Sequence, residues 1–361
     1  MKIALVNVIK PQEGSRDGMT EYTYQIYERL KKKHEVDLIY VTEKSKRLDS
    51  IAYLYANTLF KLKVRKLAQK KYDIIHITNQ ELGFVAKTVK RLGTKAKVIT
   101  SIHDLMRMDI NSVKGFSQRM YSRLVAKSIM DCFRFSDSII FSASTVEKDA
   151  VKRFRGMFGD HVTTLLGPSE EFRTAPIPKK TKSKEFVVGY VGAFAPWKNP
   201  MFVLKTAKLL KDDKNIVFKM HGHGPEEEAM KEYKSEHKLE NLEIKGFPVQ
   251  NRFLEMYDGF DLFFYPTLEE GSSLPMINSQ CRGLPVVIYK GNKVDDEVTR
   301  YCFVSKDEKD AARLIKAIKE KGFNTKRREI MLKYVRSFSW DRVAKETLDV
   351  YKKVLAQKVD K

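Results

Sequence analysis

Short apolar runs alternate with amphipathic or polar stretches along most of this chain. Lys2 to Val8, Glu35 to Val41, Asp73 to Thr78, Lys97 to Ser101, Ser138 to Ser142 and Val162 to Leu166 are rich in Val, Ile and Leu. Runs of this kind are expected of parallel strands buried on both faces. Between the first two, Glu21 to Lys33 carries its apolar residues at helical spacing, and Ser144-Thr145-Val146-Glu147 reads as a capping box opening another helix. A second series follows: Phe186 to Gly192, Phe218 to His221, Asp261 to Tyr265 and Leu284 to Tyr289, with a helix from Met201. A last amphipathic stretch, Phe338 to Tyr351, is capped by Asp341 or Ser339. Strands alternating with helices predict an α/β protein with parallel sheets. Ala175 to Lys184, with two prolines and four lysines, reads as a linker between residues 1–174 and 185–339.

The densest local signal lies at 261–289. A buried strand ends at Tyr265, a polar loop carries Glu270 and Gly271, and Ser272 or Ser273 is placed to cap a short helix. Pro275 sits in the first turn of that helix and Gly283 is its expected stop. Leu274, Ile277 and Cys281 fall at core spacing, which turns Asn278 away from the core. A glycine loop delivering a helix N-terminus suits an anion such as a diphosphate, because the first N–H groups are unpaired and the dipole end is positive. A capped helix in an ordinary α/β core fits the same spacing.

Length and composition narrow the class. The chain has 361 residues, enough for two cores, and its 42% hydrophobic and 11% aromatic content is that of a globular protein. Its three cysteines, Cys132, Cys281 and Cys302, are widely spaced and without metal-ligand spacing, as expected of reduced thiols. No leader pattern opens the chain, and no window reaches about 18 uninterrupted apolar residues. These features predict a cytoplasmic protein. The net charge of +22 has two readings: attraction to anions, namely a nucleotide-sugar, an acidic membrane surface or nucleic acid, or a Lys- and Glu-rich surface of the thermophile type. Residues 50–71 combine aromatic and aliphatic positions with a cationic run, and two readings are open there. Such a helix lies flat on an anionic leaflet, or packs on the sheet with its lysines in solvent. The recognition patterns of nucleic-acid-binding modules are missing from the sequence, which makes nucleic acid an unfavoured partner.

The motif at 261–289 resembles the signature of the family 4 glycosyltransferases (glycosyl transferases group 1), which have the GT-B fold and retain anomeric configuration. Pro266, Glu270, Gly271, Leu274, Pro275, Gly283, Pro285, Val286 and Val287 fall in register with it. The second glutamate of the family's pair is Asn278 here. Other segments are similar too. They include Asp17-Gly18-Met19 before the first helix, Val98 to His103-Asp104, the turn Gly167 to Phe172, the strand ending in Gly192, Lys198, Gly222 to Pro225, Leu242 to Phe247-Pro248, and the closing helix. The family's arginine near the lysine is Ala193 in this chain, with Arg252 a candidate to compensate.

The resemblance implies two Rossmann-like domains, an interdomain cleft, and a C-terminal helix over 340–361 that crosses back to the first domain. It implies transfer of a sugar from a UDP- or GDP-sugar to a glycan or lipid-linked acceptor, without metal or other cofactor. His103 and Glu270 are then the catalytic candidates. Gly18, Gly192, Lys198, Gly271, Ser272, Ser273 and Leu274 would hold the donor diphosphate, and Asn278, Phe247 and Pro248 the ribose and base. The basic segment 105–135 would border the acceptor, possible contact with an anionic membrane included. An amide at 278 gives up the charge-assisted bond of a carboxylate, which is about twice as strong. With Ala193 also departing, a non-catalytic GT-B partner subunit is the alternative. His76 reads as a structural histidine, and His221 with His223 lacks the third ligand a zinc site needs.

Overall fold

A computed structural model describes residues 1–12, 17–43, 60, 62–108, 116–178, 184–248 and 252–357. By internal packing the chain divides into two units, Met1–Leu166 with Trp340–Lys361, and Gly167–Ser339. Of residues 50–71, Phe60 and 62–71 are described: Phe60, Val64 and Leu67 pack in the core of the first sheet while Lys63, Arg65 and Lys66 are exposed, as the sheet-packed reading expects. The tip of the loop before Gly18 and the middle of the linker fall outside the described residues.

The first unit is built on strands β1 (Lys2–Ile9), β2 (Glu35–Thr42), β3 (Ile74–Ile77), β4 (Lys97–Ile102), β5 (Ser138–Phe141) and β6 (His161–Thr163). They form one six-stranded sheet in the order β2-β1-β3-β4-β5-β6, and every pairing is parallel. The interior residues of β1, β3 and β5 are all buried, which explains why these strands read as unbroken apolar runs. Ala4, Val6, Ile75, Ile77 and Val98 pack with Val85, Ala86 and Val89 of the helix Gly83–Arg91. Ile102, Ile139 and Phe141 pack with Val125, Ile129 and Phe133 of the helix Phe116–Phe135. Each such side chain contributes about 1.5–3 kcal/mol of burial.

The helix Trp340–Ala356 belongs to this first unit. Its Trp340 is buried edge-on to Tyr22, the ring centroids 6.2 Å apart. The Tyr351 hydroxyl lies 2.6 Å from His76 Nδ1, and Arg29 Nε donates to Asp341 Oδ1 at 2.7 Å. The Asp341 carboxylate, one of the two expected caps, thus ties the helix to Gly18–Leu30. The capping-box reading needs a correction as well. The helix Ser144–Phe154 starts at Ser144, and the Glu147 carboxylate accepts from Thr163 Oγ1 at 2.6 Å and pairs with His161.

The second unit repeats the plan with β7 (Phe186–Val191), β8 (Ile216–His221), β9 (Leu242–Lys245), β10 (Leu262–Phe264), β11 (Val286–Tyr289) and β12 (Phe303–Ser305). Their order is β12-β11-β10-β7-β8-β9, again all parallel. The boundary falls at Leu166 and not at 174, and residues 175–178 are held by the second unit instead of forming a free linker. Three contacts account for this. Phe172 is buried edge-on to Tyr257, with centroids 5.0 Å apart, and Ser169 N donates to Asn278 Oδ1 at 3.2 Å. Arg282 donates to the carbonyls of Ala175 and Pro176 at 2.9 and 2.8 Å while paired with Asp258. A turn read only for its prolines and lysines gives no sign of a buried guanidinium more than a hundred residues away.

Candidate functional site

In an open α/β sheet a ligand sits outside the carboxyl ends of the strands, where the strand order reverses. In the second sheet that point lies between β7 and β10, since the chain runs outward from β7 to β9 on one side and from β10 to β12 on the other. Gly192 follows β7 directly, and the loop 266–273 follows β10.

Hydrogen bonds join these two loops. Thr267 Oγ1 donates to the Trp197 carbonyl at 3.1 Å, and Leu268 N donates to the same oxygen at 2.9 Å. Asn199 adopts φ +52° and donates from Nδ2 to the Pro266 carbonyl at 3.2 Å. This brings Lys198 Nζ to 2.6 Å from Glu270 Oε1, with side chains only 13% and 18% exposed. The ammonium also lies 5.6 Å above the Tyr265 ring. The loop is not fully satisfied. Glu270 Oε2, Ser273 Oγ and the Tyr265 hydroxyl are buried without hydrogen-bond partners among the described residues. Each such group costs about 1–3 kcal/mol when left unpaired.

The glycine at 192 is dictated by crowding. A Cβ there would come within 3.1 Å of the Tyr265 hydroxyl, and one on Gly222 would meet the Gly192 carbonyl at 1.9 Å. Gly271, Ser272 and Ser273 are buried, and Ser273 stands at the cap position of the helix Leu274–Cys281 without its hydroxyl capping it. The helix stops at Gly283, φ +70°, whose N–H donates to the Gln280 carbonyl at 2.8 Å.

The expected ribose and base residues have partners of their own. Asn278 Oδ1 is taken by Ser169 N. Phe247 stacks on Phe253 with centroids 6.1 Å apart and meets His223 edge-on, beside Pro248. Arg252 pairs with Glu255 at 2.9 Å on the surface, and the Ala193 carbonyl accepts from the Tyr190 hydroxyl at 3.0 Å. His221 and His223 bond Gly246 O and Glu227 respectively, and among the described residues no cluster of three or more His, Cys, Asp or Glu is arranged to hold a metal.

In the first unit, Gly18 opens the helix Gly18–Leu30, capped by Asp17, which accepts from Thr20 N at 2.9 Å. A Cβ on Gly18 would meet nothing within 4 Å. His103 follows β4, almost buried, with Nε2 3.0 Å from the Thr78 carbonyl and its ring edge-on to Tyr22 at 4.9 Å. A carbonyl only accepts, so Nε2 carries the proton and Nδ1 keeps the lone pair. Burial lowers the histidine's pKa and so favours the neutral ring. His76 is different: wholly buried between Tyr351 and Ser101 Oγ, it is a structural histidine.

The structure therefore gathers Gly192, Lys198, Glu270 and Gly271 to Leu274 at the edge of the second sheet, and places Gly18 and His103 at strand ends of the first. Sequence reasoning passed over Tyr265, Tyr190, Thr267 and Asn199. Only the tyrosine closing the apolar run at 261–265 signals them.

Two six-stranded doubly wound parallel sheets, each with its own helices, define a GT-B glycosyltransferase architecture. Residues 172–338 match the family model described as glycosyl transferases group 1, and residues 16–164 match glycosyltransferase family 4. The chain belongs to this family. It is 24% identical over 225 residues to a putative glycosyltransferase, EpsF, of Bacillus subtilis, across 60% of this chain and 57% of that one. It is 23% identical over 254 residues to the UDP-Gal:alpha-D-GlcNAc-diphosphoundecaprenol alpha-1,3-galactosyltransferase of Escherichia coli, across 64% and 60%. The chain thus spans less than two thirds of the length of either relative. The fold of Anabaena HepE, solved with UDP and glucose, superposes with a TM-score of 0.68 at 13% identity over 99% of this chain and all of that one.

Proposed function

We propose that this chain transfers a sugar from a UDP- or GDP-sugar to a glycan or lipid-linked acceptor, with retention of configuration and without a metal. The observation that carries this reading is the Lys198–Glu270 pair at the strand-order reversal of the second sheet, beside unpartnered Glu270 Oε2 and Ser273 Oγ. Sugar transfer from a nucleotide builds negative charge on the departing diphosphate. Preorganised positive groups supply most of the rate in such a step. Lys198 and the N–H groups of Gly271 to Leu274 take that role, with Gly192 and Gly18 allowing close backbone approach. Glu270 takes sugar hydroxyls, and His103, with its neutral ring, is the candidate of the first unit for contact with the sugar. Asn278, Phe247 and Pro248 receive the ribose and base.

The structure of HepE with UDP and glucose and the E. coli relative's name, which specifies UDP-Gal and a diphosphoundecaprenol acceptor, favour this donor and acceptor class. A lipid-linked acceptor is met at a membrane surface. No helix among the described residues is long and apolar enough to cross a bilayer. The helix Phe116–Phe135 offers a peripheral contact instead, with Phe116 85% exposed and Arg119, Arg123 and Lys127 exposed at helical spacing.

The test is a donor screen that follows sugar-dependent release of UDP or GDP with membrane lipid extract present. Lys198→Ala and Glu270→Ala should each lower turnover well over about tenfold. Near-normal rates in both would remove the site assignment. Nucleotide binding without any turnover would favour the non-catalytic partner reading, which the residues Ala193 and Asn278 support.

A further inference from the structure

The bond between Lys198 and Glu270 creates a charge problem for any anion that needs the lysine. Glu270 is partly buried, its Oε1 is 2.6 Å from Lys198 Nζ, and its Oε2 is buried with no partner. Drawing Lys198 onto a diphosphate strips the carboxylate of the counter-charge it is paired with, and an unpaired charge in a buried site is strongly unfavourable. Something must replace the lysine for the exchange to be cheap.

Tyr265 is built for that replacement. The residue is 0% exposed and its hydroxyl has no hydrogen-bond partner. Its ring lies under the Lys198 ammonium, and its hydroxyl is packed so close to Gly192 that a Cβ there would stand 3.1 Å away. Burial first, then the nearby Glu270 charge and the hydroxyl's approach to that carboxylate, hold the phenol protonated, while the two groups stop short of ordinary hydrogen-bond geometry. A donor with no acceptor thus stands beside an acceptor with no donor. Tyr190 is not free to serve, because its hydroxyl donates to the Ala193 carbonyl at 3.0 Å.

We propose that Tyr265 is a positioning residue of this site: when a diphosphate draws Lys198 away from Glu270, the Tyr265 hydroxyl donates to the Glu270 carboxylate and takes the lysine's place. The exchange moves no proton between groups and makes no covalent bond. It rests on the reading of Lys198 as the diphosphate ligand, and it adds the device that lets the lysine go.

The test is calorimetric binding of UDP and GDP to the full chain, its Tyr265→Phe and Glu270→Gln variants, and the double variant, with melting temperatures of the ligand-free proteins. Tyr265→Phe should weaken nucleotide binding at least about fivefold, as loss of a bond to a charged group does. Its melting temperature should hold or rise, since an unpartnered buried hydroxyl has been removed. In the Glu270→Gln background the same change should alter binding less than about twofold, because a neutral amide needs no replacement donor. Equal loss of affinity in both backgrounds, an unchanged affinity in Tyr265→Phe, or a lowered melting temperature with the loss would overturn the proposal. If the wild-type chain binds neither nucleotide, the donor reading itself falls, a result separate from wild-type binding with an indifferent Tyr265→Phe.

Discussion

Acidification should loosen the first unit through His76. The ring is wholly buried and bonded at both nitrogens to hydroxyls, Tyr351 at 2.6 Å and Ser101 at 2.8 Å, with no carboxylate partner among its bonds. Burial, and then the neighbouring His103, pull its pKa down from 6.5 to about 3. A depressed folded pKa contributes stability that is whole above pH 6.5 and is lost as pH falls towards 3. Each pH unit below the unfolded value costs about 1.4 kcal/mol, so pH 5 removes about 2 kcal/mol and the full interval about 5. That is a large share of the roughly 5–15 kcal/mol that holds a domain folded. The two tryptophans permit a clean assay, because Trp340 lies in the first unit and Trp197 in the second. In a Trp197→Phe background, urea unfolding followed by fluorescence reports Trp340 alone. Its midpoint should fall more steeply between pH 7 and 5 than in the same protein carrying His76→Gln, which keeps hydrogen-bonding capacity but has no proton to gain. His103 is present in both proteins, so the difference reports His76 together with its coupling to His103. Parallel pH profiles for the two would refute the reasoning.

Other perturbations follow from packing. Arg282 is 1% exposed and joins Asp258 to the Ala175 and Pro176 carbonyls, so Arg282→Ala should destabilise the second unit by about 3 kcal/mol, read from the Trp197 unfolding midpoint. Gly222→Ala drives a Cβ to 1.9 Å from the Gly192 carbonyl and should cost about 1–3 kcal/mol or more, with weakened UDP or GDP binding. Gly159→Ala, where a Cβ meets nothing within 4 Å, should shift the midpoint by under about 0.5 kcal/mol.

Strands β1, β3 and β10 were legible because both of their faces are covered, so hydropathy alone marks them. The edge position of Glu270 was legible for a related reason: a polar loop after such a run has to lie at the carboxyl end of a strand. The pairing of Glu270 with Lys198 was not, because it depends on Thr267 and Asn199 joining two loops that sequence proximity does not connect. Tyr265 counts as apolar in any periodicity reading, and its hydroxyl matters only once the neighbours are known. Asn278 was read by its place on a helix face, yet the residue that uses its carbonyl, Ser169, lies across a domain boundary that composition had set at 174. Hydrophobic pattern reports which side chains leave water. It does not report which polar atoms meet afterwards.

The return of Trp340–Ala356 to the first unit has a consequence for how the protein is made. Tyr22, Arg29 and His76 are translated well before their partners Trp340, Asp341 and Tyr351. The amino-terminal half must wait, unfinished, while the continuous stretch 167–339 is already complete and free to fold. Here the order of synthesis runs opposite to the order of completion, because the first unit is whole only after the second.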